Sequence, residues 1–160
     1  MEEPIKLRAK LCLVGASSVG KPSLIRRYVL DEFDDRYIET VGTKVSKKEI
    51  EVPHPHAAGT VRVDMQIWDI MGQMGFRELL QESHFQGAQG ILAVADLCRA
   101  ETIGDLYVWV DQIDRIAGSV PMILAFNKAD LAATQRVPEE DIRRAAVAFQ
   151  CDYLLTSAKT

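Results

Sequence analysis

A chain of 160 residues makes one domain, long enough for folding to hide roughly 70% of the unfolded surface in a single core. With 48% hydrophobic and 26% charged residues, and only 10 Gly and 6 Pro, the composition excludes disorder and low-complexity scaffolding. Nineteen Lys and Arg against 23 Asp and Glu leave a net charge of −4, which excludes a general electrostatic footprint for nucleic acid or anionic lipid, so any anion must be held locally.

The N-terminus is acidic and has no apolar signal core. The first strand is expected over residues 6–14, followed by a helix over about 21–30 with Leu24, Ile25 and Tyr28 as its buried stripe. Alternating stretches at 43–52 and 60–68 flank Pro53-His54-Pro55-His56-Ala57-Ala58-Gly59, which breaks any continuous strand and predicts an antiparallel hairpin. His54 and His56 have no further ligand in view, so they read as a solvated turn.

Residues 91–95 and 120–126 are continuous apolar runs, as expected for strands buried on both faces. Between them Ile103, Leu106, Val110, Ile113 and Ala117 repeat at helical spacing, with Thr102 as candidate N-cap and Gly118 just past the end. A further helix is signalled by Pro138-Glu139-Glu140-Asp141 and by Ile142, Ala145 and Phe149 on one face. A last strand covers 153–155, giving the order β-α-β-β-α-β-α-β-α-β. One more helix after it is expected to be absent from this chain, leaving apolar sheet surface uncovered. Cys12, Cys98 and Cys151 sit far apart in apolar settings and are expected to be small buried hydrophobes of a reducing, cytoplasmic compartment; with no C-terminal Cys, no prenyl anchor is expected.

Gly15-Ala16-Ser17-Ser18-Val19-Gly20-Lys21 lies between a strand and a helix, the context of a phosphate-binding loop. Glycines let the backbone wrap an anion, successive N–H groups point at it, and Lys21 reaches the terminal phosphates. The motif then wants a Ser or Thr hydroxyl for Mg²⁺, but the position holds Pro22, with Ser23 one place later. Proline fits the first turn of a helix but brings neither hydroxyl nor N–H.

Downstream, Trp68-Asp69-Ile70-Met71-Gly72-Gln73 ends a strand with an acid that could hold metal through water, a glycine amide for a γ-phosphate, and a glutamine to orient water. Asn127-Lys128-Ala129-Asp130 follows another strand, where Asp130 could accept from N1 and N2 of guanine, a donor edge that adenine lacks. Thr156-Ser157-Ala158-Lys159 ends the last strand in the same way.

Taken together, these five elements resemble those of a Ras-superfamily small GTPase, most like the Ras and Rab branches, over residues 6–160. The resemblance implies an α/β P-loop GTPase fold: a six-stranded, mostly parallel sheet with one antiparallel edge strand, flanked by helices and lacking the last. It implies one G domain over residues 1–160. It places Gly15, Ser18, Val19, Gly20, Lys21 and Ser23 on the phosphates, Phe33 against the base and Tyr37 over the phosphates. Thr40 matches the switch threonine that ligates Mg²⁺ with GTP bound. Asp69, Gly72 and Gln73 match the second switch, with Asp69 and Thr40 toward metal and Gln73, Lys21 and Thr40 toward catalysis. Asn127, Lys128, Asp130, Ser157, Ala158 and Lys159 match the guanine pocket.

The function implied is a GTP/GDP switch that hydrolyses GTP with Mg²⁺ and meets an effector, an exchange factor and a GTPase-activating protein through segments near 36–47 and 72–81. Met71, Met74 and Phe76 suit either a partner surface or the core, and Arg36 either a cis arginine finger or a solvated residue. Pro22 sets the alternative, a module that holds GDP with weakened Mg²⁺ binding and little turnover.

Overall fold

The computed structural model describes residues 5–30, 43–70 and 85–160. Its six strands are β1 (Lys6–Val14), β2 (Thr43–Pro53), β3 (Thr60–Ile70), β4 (Gly90–Asp96), β5 (Met122–Asn127) and β6 (Asp152–Leu155). Among the described residues the helices are α1 (Lys21–Leu30), α2 (Glu101–Ala117) and α3 (Glu139–Phe149), with a 3₁₀ segment at Ala129–Thr134. The helix expected between β3 and β4 lies outside the described residues.

The strands form one sheet in the order β2-β3-β1-β4-β5-β6. The β2–β3 pair is antiparallel, and the remaining pairs are parallel. This is the α/β architecture expected from the alternating apolar runs. The connection after β1 leads towards the β2 edge and that after β4 towards β6, so the chain diverges at the carboxyl ends of these two adjacent strands. Such a divergence opens a crevice, which is where open α/β sheets bind ligands.

Alternation in β1 sorts its side chains between two cores. Cys12 and Val14 pack with Phe126, Leu106, Trp109 and Ile142 on the side of α2 and α3, whereas Leu13 packs with Val19, Ile25, Ile67 and Val94 beneath α1. Leu7, Ile123 and Leu154 on the α1 side of the sheet are 52%, 43% and 55% exposed.

Four sequence expectations are corrected. Tyr28 is not in the stripe of α1; it lies at the rim, with the Lys48 ammonium 4.5 Å from its ring centre. Thr102 does not cap α2: the cap position is Ala100, and the buried Thr102 hydroxyl donates to the Arg99 carbonyl and accepts from the Asp96 amide instead. Trp109, fully buried and edge-on to Phe85 at 6.2 Å, takes the central core place assigned to Val110. Cys12 is buried, but Cys98 and Cys151 are only partly so, and none of the three forms a disulfide. His54 lies in a turn where its Nδ1 accepts from the His56 amide, as suits a local hairpin connection.

Candidate nucleotide-binding site

Between β1 and α1, the loop turns where a side chain would not fit. Gly15 has φ +145°, and a Cβ there would stand 2.3 Å from the Val94 carbonyl; at Gly20, φ +99°, it would meet Asn127 Nδ2 at 2.3 Å. Ser18 also takes a left-handed conformation, φ 66°. These close approaches make the cradle that glycines at both ends of the motif imply.

All six carbonyls from Gly15 to Gly20 are engaged. Lys21 Nζ donates to the Gly15 and Ala16 carbonyls at 3.0 and 3.1 Å, and Arg99 Nη2 to that of Ser17 at 2.7 Å. Lys128 Nζ donates to the Ser18 carbonyl at 3.0 Å, Asn127 Nδ2 to that of Val19 at 2.9 Å, and the Leu24 amide to that of Gly20 at 2.9 Å. A loop whose carbonyls are all engaged by cations and amides can bind an anion through its N–H groups.

Lys21 is 3% exposed. Burial pushes its ammonium down to about 8; the Asp69 carboxylate works against this, and the Arg99 charge adds to it. Asp69, also buried, is the penultimate residue of β3 and lines with Pro22, Ile25 and Lys44 a cleft of about 300 Å³ between α1 and the β2–β3 hairpin. Pro22 thus shares a cleft with Asp69 but its side chain brings no oxygen, and Ser23 is half-buried beside it in the first turn of α1. Toward a divalent cation the cleft offers the Asp69 carboxylate, and among the described residues no three His, Cys, Asp or Glu side chains gather.

The loops after β5 and β6 are tied together. The Ala129 amide donates to the Thr156 carbonyl at 3.0 Å, Thr156 Oγ1 to Asn127 Oδ1 at 3.2 Å, and Ser157 Oγ to Asp130 Oδ1 at 2.7 Å. Lys128 is left-handed, φ 69°, Ala158 is buried and Lys159 is exposed. Thus Asn127 and Lys128 touch the phosphate loop directly, while Asp130 and Ser157 form a pair, with Asp130 exposed. Phe33, Arg36, Tyr37, Thr40, Met71, Gly72, Gln73, Met74 and Phe76 lie outside the described residues.

Sequence reading missed Asp96 and Arg99. Asp96, 1% exposed at the end of β4, accepts at Oδ2 from Lys128 Nζ at 2.7 Å and Arg99 Nε at 3.1 Å, and at Oδ1 from the Cys98 amide at 2.8 Å. Burial by itself would raise this carboxyl, but the bonds from Lys128, the Cys98 amide and Arg99 outweigh it and hold it below the usual carboxylate range. The available signal was a charge closing the apolar run of β4, beside the crevice.

A strand, a carbonyl-engaged glycine loop and a helix carrying a buried lysine at its start define a P-loop nucleotide-binding protein. The Ras family profile matches residues 10–160. GTP-binding protein YPTM1 from Zea mays is 37% identical over 151 residues, covering 94% of this chain and 69% of that protein. Ras-related protein RABD1 from Arabidopsis thaliana is also 37% identical, over 94% of this chain and 70% of that protein. Ras-related protein Rab-1A from Dictyostelium discoideum is 34% identical, over 94% and 71%. The chain belongs to the Ras family of small GTPases.

Proposed function

We propose that this chain is a cytoplasmic guanine-nucleotide switch that hydrolyses GTP to GDP and phosphate, slowly on its own. The observation that carries the reading is the loop of residues 15–20 with every carbonyl engaged, bound through Asn127 and Lys128 to the segment that would hold the base. Lys21 would meet the β- and γ-phosphates, and Asp130, Ser157, Ala158 and Lys159 the guanine ring. Phe33 and Tyr37 would close over base and phosphates, Gly72 would donate to the γ-phosphate, and Gln73 would align the attacking water.

Mg²⁺, when bound, would neutralise phosphate charge; Asp69 and Thr40 are the residues that would hold it. Effector, exchange factor and GTPase-activating protein would meet the segments near 36–47 and 72–81, and an arginine supplied by the last would raise the rate ~10³- to 10⁵-fold.

Pro22, which shares the cleft of Asp69 without a side-chain oxygen to offer, favours a second reading, a GDP-holding module with little turnover. For the guanine assignment, competition between GDP and ADP is the test, and GDP should win by at least about a hundredfold, the scale of two lost hydrogen bonds to a charged acceptor. Asp130→Asn should weaken GDP and favour xanthine nucleotides. Comparable binding of GDP and ADP would remove the guanine reading.

A further inference from the structure

We infer that Arg99, hung on the buried carboxylate of Asp96, is a positioning residue of the phosphate loop, holding Ser17 in its binding conformation before nucleotide arrives. The inference rests on the nucleotide-binding reading above and adds a residue that neither the loop motif nor the base-pocket motifs contain.

A phosphate loop binds through its N–H groups, so any carbonyl turned inward would repel the anion it should hold. Of the six carbonyls, those of Gly15, Ala16 and Gly20 are engaged by residues within the loop or helix α1 itself. Those of Ser17, Ser18 and Val19, at the crest, depend on residues more than 80 positions away in sequence. Asn127 and Lys128 serve two of them, and the Ser17 carbonyl falls to Arg99 at 2.7 Å, the shortest of the set.

Arg99 can do this because its guanidinium is a fork with donors pointing in different directions. One donor, Nε, is spent on Asp96 Oδ2 at 3.1 Å, and Nη2 reaches Ser17. The same Asp96 oxygen accepts Lys128 Nζ at 2.7 Å, whose ammonium also serves Ser18. One buried carboxylate therefore orients two cations, and those cations hold two consecutive loop carbonyls. Asp96 is itself held by the Cys98 amide on Oδ1 and through its own N–H on the Thr102 hydroxyl. Thr102, at the start of α2, thereby joins the helix to the loop.

In nucleotide dissociation the loop must loosen around the phosphates, so removing one crest anchor should speed release without touching base selection. Arg99→Met keeps the aliphatic stem and deletes the fork. Measured with a fluorescent GDP, its off-rate should rise about tenfold, the worth of one charge-assisted hydrogen bond, with the GDP-to-ADP preference kept. Amides of residues 16–20 in the nucleotide-free protein should exchange faster, while those of β5 stay protected. Should the methionine chain not fold, Arg99→Lys, which keeps a charge beside Asp96, is read instead, with at least about a threefold rise expected.

An off-rate within twofold of the parent, unchanged loop exchange, or a rise accompanied by lost base preference would each overturn the inference. If the parent chain binds no guanine nucleotide, the functional reading fails by itself, and the exchange measurement on nucleotide-free protein still decides the role of Arg99.

Discussion

Keeping Lys21 charged while buried carries a measurable cost. Its folded value of about 8 lies below the 10.5 of an exposed lysine, so below pH 8 the buried ammonium destabilises the folded chain by about 3 kcal/mol, and the penalty fades as pH rises from 8 towards 10.5. Phosphate charges beside it would raise the value again. Nucleotide binding should therefore take up a proton between about pH 8 and 10, and GDP affinity should fall by up to about tenfold per pH unit there and be flat below 8. Isothermal titration in buffers of different ionisation enthalpy reads this directly; no proton uptake at pH 9 would mean that Lys21 keeps its charge in the free protein. Pro22 calls for the converse experiment. Pro22→Thr supplies a hydroxyl to the cleft shared with Asp69 and should raise Mg²⁺ dependence, the GTP-to-GDP affinity ratio and turnover together, each by about tenfold. Metal titrations of turnover in both chains check it, with Ser23→Ala as control for the neighbouring hydroxyl.

Among the elements, α2 ties the core to the site. Its inner face buries Ile103, Leu106, Trp109 and Ile113 against the sheet, while Thr102 at its start braces Asp96. Trp109→Ala should cost about 3 to 5 kcal/mol, because a fully buried indole leaves a cavity that the sheet cannot collapse to fill. Tyr107→Ala on the outer face, 45% exposed and paired with Phe149 at 4.6 Å, should cost about 0.5 to 1.5 kcal/mol. Urea denaturation of the two variants separates these expectations, and equal losses would show that α2 packs by its other face. The exposed pairs Arg143–Glu139 and Arg144–Glu140 on α3 add little, since solvated ion pairs one helical turn apart contribute little to stability. The interior face of α2 was legible as a period but misread by one residue: Val110 and Trp109 are 100° apart, and helical spacing alone fits either beside Leu106 and Ile113.

At the scale of the whole molecule, the amino-acid sequence by itself determined the strands, the hairpin, the phosphate loop and the loops after β5 and β6. Each is written in contiguous residues: an apolar run, a Pro-Gly turn, or a motif whose glycines answer to local backbone angles. The position of Pro22 was equally plain, because a missing hydroxyl is a fact of composition. Only the tertiary structure decided how these pieces meet. The order β2-β3-β1-β4-β5-β6 sets the end of β4 beside the phosphate loop, so Asp96 and Arg99 come to brace Ser17 from 82 residues away. It also buries Lys21 against the field of Asp69, 48 positions on. A side chain's partner across a sheet depends on strand order and twist, not on its neighbours in the chain. No local pattern marked Arg99, a half-exposed arginine in a turn, as different from a solvated one, because the acceptor that distinguishes it exists only once β1 and β4 lie side by side.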